Sequence, residues 1–570
     1  MRMRLVDHLV RELARSGVDH VFGVGGANIE DLYDALHAAG PGIRAVVAKH
    51  EFSAATMADG YARATGRLGV VVATSGGGAM NLVPGLAEAY ASRVPVLALV
   101  GQPPRAQHGR GAFQDSSGRA GSLDARQLFA PVSRLCARVD DAGQLSDLLP
   151  QAIAAALSPP RGPAVLLLPK DVQQTLIQAA PSPAAVPLPA PAADRAVRDR
   201  AVRALRGARR ILVIAGEGVA AGHARAELAE LAGRLGAWVA VTPDAKDVFD
   251  NADPRFAGVA GVMGHQNVAD CLRKAEVCLL VGTRWPVMAR GGLDAALGCA
   301  LVVCIDPEPP YVSGLALRGD PRTVLRDVTG RLPAGSRPCP PHDGPVPLPI
   351  TAGVQDAAPD RLSTVAAVSA VASALPEHGH VFVDAGNTGA AAIHLLPAPR
   401  RGRFVVAVGM GGMGYAFGAG IGAALATGQR TYVLAGDGAF FMHGMEVHTA
   451  IEYRAPVTFV IFNNNAHGMC VTRERLYYGD TYSFNLFQPT DIGAGVAAAF
   501  PSLPVARPGD AAGLRAALRH GNDPDLGPAF VALDVDPHEV PPFHPFLTAD
   551  GRYPADAEEH TDEYERVHAG

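Results

Sequence analysis

The chain has 570 residues, 48% of them hydrophobic, and a formal net charge of −5 from 50 basic and 55 acidic side chains. That length accommodates several domains of ordinary size, and nothing in a nearly balanced, slightly acidic charge suggests a binder of nucleic acid or other polyanions. No apolar stretch is long and uncharged enough to span a membrane. The opening MRMRLVDHLVRELARSG lacks the unbroken apolar core of a signal peptide, and seven scattered cysteines without a CxxC pair read as reduced thiols of a cytoplasmic protein.

From 1 to 176 the pattern alternates helix and strand. Leu5, Leu9 and Leu13 recur at helical spacing and lead into a short strand over 18–24, closed by Gly25-Gly26. A helix over 28–39 and a strand over 43–47 follow. Lys49-His50-Glu51 then opens FSAATMADGYARATGR, a helix with small residues along one side. The strand over 68–73 ends in Thr74-Ser75-Gly76-Gly77-Gly78-Ala79-Met80-Asn81, a helix carries 82–91, and 96–100 is again a strand. After a loop with His108, Phe113 and Gln114, AVLLLPKDVQQ closes the region at Pro169-Lys170-Asp171. Repeated strand–glycine–helix units predict a doubly wound parallel sheet. Residues 179–193 are nearly all Ala, Pro, Ser and Val, which makes a stiff linker without a helix.

A second α/β region spans 194–334. ILVIAGEGVAAG gives a strand followed by Gly216-Glu217-Gly218, and WVAVTPDAK, VCLLVGTRW and ALVVCIDPEP are further strands. The glycines hint at a dinucleotide site, a weak signal without the matching acid later in the chain. Residues 335–358, with PAGSRPCPPHDGPVPLP, form a second linker.

The third region begins at 359. VFVDAGNTGAAA places Gly386-Asn387-Thr388 after a strand, and GMGGMGYAFGAGIGAAL is too glycine-rich for an isolated helix. The stretch 431–469, TYVLAGDGAFFMHGMEVHTAIEYRAPVTFVIFNNNAHGM, opens with a buried-type strand over 432–435 that ends at Gly436-Asp437-Gly438. Helix-spaced Met442, Met445, Val447, Ala450 and Ile451 follow, and a second apolar run over 457–462 stops at Asn463-Asn464-Asn465. This is one right-handed βαβ unit of a parallel sheet. Both strand ends of such a unit lie on one edge, so Asp437 and Asn464, 27 residues apart, meet above it. A carboxylate and an amide carbonyl are hard oxygen ligands that suit Mg²⁺, which takes its remaining ligands from water and phosphate. Gly436 and Gly438 let the backbone approach a diphosphate, to which the next helix offers free N–H groups. A glycine turn followed by an asparagine turn explains each piece separately. The coincidence of acid, glycines and polar strand end favours metal and diphosphate. Beyond 548 an acidic tail, 549–570, reads as mobile.

The run from Gly-Asp-Gly to paired asparagines resembles the thiamine diphosphate signature. Its spacing and surroundings are most similar to the acetolactate synthase branch of the thiamine diphosphate-dependent 2-oxo acid decarboxylases and carboligases. The order HE, MADGYAR, TSGGGAMN, GAFQ in the first region resembles the pyrimidine-binding domain of the same enzymes. The resemblance covers nearly the whole chain. It implies an α/β protein of three doubly wound parallel-sheet domains: pyrimidine-binding (1–176), central (194–334) and thiamine diphosphate/Mg²⁺-binding (359–548).

By that resemblance Asp437, Asn464 and the backbone carbonyl of Ala466 bind Mg²⁺. Gly436, Gly438, Ala439, Asn387 and Thr388 hold the diphosphate, and Gly25, Asn81, His467, Gly468 and Met469 belong to the same cofactor-binding set. Met413 is the apolar wedge that bends thiamine, and the Gly411 carbonyl accepts from its amino group. Glu51 is carried over as the catalytic glutamate. A carboxyl bonded to the pyrimidine N1′ stabilises the imino form that makes the cofactor's own amino group basic. Considered by residue type alone, Glu51 is a first-turn helix acid, Met413 a core methionine and Asn387 a turn residue. Gln114 matches an amide that faces the reacting substrate in acetolactate synthases, and is otherwise a loop glutamine. His467 is a further catalytic candidate on the thiazolium side.

Departures from the family pattern are informative. Gly25-Gly26 and Ser75-Gly76-Gly77-Gly78 replace proline-containing turns, and His108 stands alone where pyruvate decarboxylases have a His-His pair. In the central domain Arg284 is kept, but Pro286, Val287 and Met288 stand where an acid and a second arginine belong. Val262-Met263-Gly264-His265-Gln266 also departs from the FAD pattern. FAD is therefore not expected, and the domain reads as a spacer. Arg473 stands where acetolactate synthases have a tryptophan beside the substrate. It either pairs with an anionic or strongly polar substrate or is a solvated helix charge beside Glu474.

The expectation is decarboxylation of a pyruvate-like 2-oxo acid and transfer of the acyl carbanion to a carbonyl acceptor. The family's habit implies a homodimer or homotetramer with the cofactor at the subunit interface. The alternatives are a non-oxidative decarboxylase that releases an aldehyde, and an inactive homologue serving as a partner subunit. The joint presence of Glu51, Asp437 and Asn464 speaks against the last.

Overall fold

Each of the three regions builds a six-stranded sheet in which all neighbouring strands run parallel. The computed structural model describes residues 2–178, 180–298, 300–348, 361–478 and 483–547. The tail 549–570, Cys299 and residues 359–360 lie outside these. No helix among the described residues is long and apolar enough to cross a membrane.

In the first region the strands stand in the order Arg44–Val47, His20–Gly23, Gly69–Ala73, Val96–Gln102, Ala164–Pro169, Leu135–Arg138. The third region repeats that arrangement with Phe404–Val406, His380–Val383, Thr431–Gly436, Val457–Asn463, Ala529–Asp534, Val505–Ala506. The central sheet runs Phe256–Val259, Trp238–Val241, Ile211–Ala215, Val277–Val281, Leu301–Asp306, Leu315–Arg318. Strands such as Gly69–Ala73, Ile211–Ala215 and Val277–Val281 are buried from end to end. Helices cover both faces of each sheet, so continuous apolar runs replace alternation. Each sheet winds one way from its first strand and then back past it. The resulting crevices lie between 20–23 and 69–73, between 211–215 and 277–281, and between 380–383 and 431–436. Such switch points are where doubly wound sheets take their ligands.

The outer domains meet through two helices, Glu51–Thr65 and Tyr415–Thr427. The glycines that weaken 415–427 as an isolated helix are what this contact requires. A methyl on Gly418 would collide with Thr56 Oγ1 and the Ser53 carbonyl, one on Gly422 with the Met57 carbonyl, and one on Gly60 with the Ala419 carbonyl. Burial of the whole helix in the shared core offsets its poor propensity. Within this contact Arg63 Nε and the Tyr415 hydroxyl both donate to the fully buried carboxylate of Asp59.

All three domains converge on Arg403. Its guanidinium donates to Glu217 at 2.7 and 2.8 Å and to Asp247 at 2.7 Å, both in the central domain, and to the Arg63 carbonyl in the first. Burying a charge is tolerable only when it is paired and hydrogen-bonded in this way.

Two local expectations are corrected. The helix after Gly436 is broken into Asp437–His443, a 3₁₀ turn at Gly444–Glu446 and Val447–Tyr453. The Phe440 ring packs against Gly444, where a side chain would collide. The helix placed over 82–91 begins earlier, at Gly77, so that Asn81 lies inside it. Residues 180–193 carry no regular element.

Candidate active site

The crevice between His380–Val383 and Thr431–Gly436 opens into a partly open cleft. Three helices begin at it: Asn387–Leu395, Asp437–His443 and Gly468–Tyr478. Each brings the positive end of its dipole to the cleft, so together they favour an anion with several acceptor oxygens. Asn387, Thr388, Gly436, Asp437, Gly438, Ala439, Asn464, Ala466, His467, Gly468, Met469 and Met413 all line the cleft. The structure thus gathers most of the cofactor set named from sequence.

At its floor the Ala466 amide donates to Asp437 Oδ2 at 3.0 Å and to Asn464 Oδ1 at 3.1 Å. Asp437 is 2% exposed, and burial pushes its carboxyl up to about 6 against the pull of amides that include Ala466 and Gly438. Asn387 Oδ1 is buried with no hydrogen-bond partner. A methyl on Gly468 would lie 2.5 Å from Asn464 Nδ2 and 2.8 Å from Asn387 Nδ2, so only glycine lets these two amides approach from either side. His467 lies over Gly438, 3.3 Å from where a Cβ would sit, and its ring meets Phe487 edge-on at 4.8 Å.

The backbone that follows Met413 is held by Asp384. That fully buried carboxylate accepts from the amides of Gly414 and Ala416 at 2.9 Å and of Ala385 at 3.0 Å, while burial pushes its carboxyl up to about 6. Gly414 has φ +89 and lies against His443, a position that excludes any side chain.

A second group sits at the switch point of the first sheet. Glu51 starts the helix Glu51–Thr65, and its Oε2 accepts from Asn81 Nδ2 at 2.9 Å. Gln114, at φ 59, accepts from Thr74 Oγ1 at 3.2 Å and rests on Gly76. Gly25 is exposed at the end of the neighbouring strand, and Gly26 packs on Thr74. Among the described residues that line the cleft, Glu51, Asn81, Gln114, Gly25, Gly411 and Arg473 are absent. Gly411 is exposed with φ +65, and Arg473 is an exposed position of Gly468–Tyr478.

Sequence reasoning missed Thr364, Asp536 and Glu539, which line the cleft. Glu539 accepts from the Thr364 amide at 2.7 Å, and burial raises its carboxyl above the usual range. The available signal was an acidic run directly after the strand Ala529–Asp534, hence on the ligand edge of the sheet.

Family models agree with this layout. Residues 3–120 match the N-terminal TPP binding domain of thiamine pyrophosphate enzymes, 198–328 the central domain and 384–533 the C-terminal TPP binding domain. The chain is 30% identical over 508 residues to the acetolactate synthase of Arthrospira platensis, covering 83% of this chain and 84% of that one. It belongs to the thiamine pyrophosphate enzyme family. It is also 29% identical over 511 residues to a probable acetolactate synthase large subunit of Methanocaldococcus jannaschii, with 84% and 83% coverage. The acetolactate synthase large subunit of Parasynechococcus marenigrum is 30% identical over 511 residues, with 83% and 78% coverage.

As a thiamine pyrophosphate enzyme the chain carries a cleft whose donors fit the cofactor. Convergent helix N-termini accommodate an anion, and the unpartnered Asn387 oxygen is an acceptor that awaits a donor from the bound molecule or its water. One carboxylate with neutral amide and carbonyl oxygens accommodates a hard divalent cation that takes its other ligands from phosphate and water. The described residues contain no group of three or more His, Cys, Asp or Glu side chains that could hold a metal ion, so the ligand set at the cleft is a single carboxylate supplemented by amide and carbonyl oxygens.

Proposed function

We propose that this thiamine pyrophosphate enzyme decarboxylates a pyruvate-like 2-oxo acid and transfers the acyl carbanion to a carbonyl acceptor, as an acetolactate synthase-like carboligase. The observation that carries this is the convergence of Asp437 and Asn464 on one amide at the meeting point of three helix N-termini. When bound, thiamine diphosphate supplies a nucleophilic carbon and a sink for the electron pair released with CO₂.

In this reading Asp437, Asn464 and the Ala466 carbonyl hold Mg²⁺. The amides of 436–439 and 468–469, with Asn387 and Thr388, hold the diphosphate. Met413 and the Gly411 carbonyl support the thiamine portion, and Gly25 borders it. Glu51, oriented by Asn81, hydrogen-bonds the pyrimidine. Gln114 and His467 face the reacting carbonyl, and Arg473 selects the acceptor.

The separation of the Glu51 group from the cleft supports a homodimer or homotetramer in which two copies complete each site. The exposed side chains of Phe113, Met410, Phe441, Met442 and Met445 offer apolar surface for that contact. The central domain is read as a structural spacer without FAD. Its Gly216-Glu217-Gly218 turn carries a carboxylate engaged by Arg403, and Arg284 is engaged by the Pro309 carbonyl and the Tyr311 ring. The free thiols of Cys136, Cys271, Cys278, Cys304, Cys339 and Cys470 support a reducing, cytoplasmic location.

Product analysis tests the reaction. The purified enzyme with Mg²⁺, thiamine diphosphate and pyruvate, given a second oxo acid or an aldehyde, should yield a hydroxyketone product and CO₂. Free aldehyde as sole product would replace carboligation by simple decarboxylation. No turnover, with stable binding to another subunit, would establish the inactive homologue.

A further inference from the structure

The backbone leading into Glu51 is held from another domain. Glu446, 1% exposed, ends the 3₁₀ turn Gly444–Glu446. Its Oε1 accepts from the amides of Lys49 at 2.9 Å and His50 at 3.0 Å, and its Oε2 accepts from Thr449 Oγ1 at 2.8 Å. These two amides immediately precede the first residue of the helix Glu51–Thr65, where donors lack intrahelical partners. The ring Nδ1 of His50 accepts from the amide of Phe52 at 3.1 Å.

Neighbouring contacts follow the same path. The Val47 amide donates to the Tyr453 hydroxyl at 2.8 Å, Lys49 Nζ to Glu452 at 2.5 Å, and the Arg44 guanidinium lies 5.0 Å over the Tyr453 ring. Segment 44–50 is thus laid along 446–453, and Glu446 is the one group there that holds two consecutive amides. The unit that contains Glu446 starts at Asp437 in the cleft, nine residues earlier.

We infer that Glu446 is a positioning residue for Glu51: its carboxylate fixes the start of the helix that carries the catalytic acid. This rests on the role given to Glu51 above. Reach, more than charge, is the requirement, because the contact is a two-amide clasp with no cation in it. Glutamine preserves an oxygen at the same distance, while aspartate keeps the charge and withdraws the oxygen by one methylene.

Hydrogen–deuterium exchange of the enzyme without cofactor tests the clasp. A peptide spanning 47–53 should exchange about tenfold faster in Glu446→Asp than in the parent, as expected for the loss of one charge-assisted bond. Glu446→Gln should stay within about threefold of the parent, since its oxygen still reaches both amides. With cofactor and substrate, kcat should fall about ten- to hundredfold in Glu446→Asp at nearly unchanged KM, the cost of a misplaced catalytic group, and recover in Glu446→Gln. Parental exchange in Glu446→Asp, or equal kcat for the two variants, would overturn the inference. Failure of the parent itself to bind thiamine diphosphate would instead refute the proposed function, leaving the exchange comparison to decide on the clasp.

Discussion

Asp437 and Asn464 share one donor, the Ala466 amide, at 3.0 and 3.1 Å. Two oxygens drawn to one N–H are held close together, and a divalent cation satisfies both better than a divided hydrogen bond does. Asp437→Ala should therefore keep the fold and lose Mg²⁺-dependent cofactor binding. The loss should exceed the 10–100-fold typical of removing an outer-shell partner. Titration of thiamine diphosphate with and without Mg²⁺ measures it, and parental affinity would remove Asp437 from the metal site.

Glu51→Gln keeps the shape and the contact with Asn81 while removing the acid. Turnover should fall about 10²- to 10⁴-fold, the range of general acid–base contributions, with cofactor affinity little changed. Intact turnover would show that Glu51 is only a first-turn helix residue.

Arg473 is exposed on a helix whose first turn lines the cleft. Arg473→Trp should weaken the use of anionic acceptors by about 1.5–3 kcal/mol, the worth of a charged hydrogen bond, and leave neutral acceptors nearly unaffected. The ratio of kcat/KM for a 2-oxo acid and an aldehyde acceptor reports this. An unchanged ratio would assign Arg473 to the solvated surface.

Acid should destabilise the contact between the central domain and the third region. His265 and His394 stack at 4.4 Å; burial, with repulsion from His394 and Lys246, pushes His265 down to about 3, and burial, with repulsion from Lys246 and His544, pushes His394 down to about 4. The Leu348 amide donates to His394 Nε2 and the Val259 amide to His265 Nδ1, so protonation of either acceptor nitrogen breaks a bond. The unfolded chain takes up these protons first, near pH 6.5. Their stabilisation is complete above that pH and is lost as pH falls toward 4. Buried Asp384, with its carboxyl pushed up to about 6, acts in the opposite direction. His394→Gln should thus reduce the pH slope of denaturation between 4 and 6.5 by up to about 1.4 kcal/mol per pH unit.

Arg403→Met should cost about 3–5 kcal/mol, because it leaves Glu217 buried without its guanidinium. Gly418→Ala should cost about 1–3 kcal/mol through the collision with Thr56 and Ser53. Chemical denaturation measures both. A neutral Arg403→Met would mean that water replaces the ion pair at the junction.

Much of the architecture is legible without a structure. Strand–glycine–helix repeats identify three doubly wound sheets, since buried parallel strands must be apolar throughout and end in residues that permit a turn. The handedness of a βαβ unit forces Asp437 and Asn464 onto one edge, which is why two residues 27 apart were readable as a pair. The glycines of 415–427 were misleading when considered locally, because their reason lies in Ser53, Thr56 and Met57, more than 350 positions away.

By itself, then, the amino-acid sequence determined the strands, the switch-point glycines and the pairing of Asp437 with Asn464, all of which depend on short-range periodicity and chain handedness. Only the tertiary structure decided that three helices begin at one cleft, that Glu539 joins it, that Glu51 sits apart from it and that Glu446 holds the approach to Glu51. Those arrangements depend on which surfaces bury each other. The clasp between Glu446 and Lys49 spans 397 residues and leaves no periodic trace in either segment.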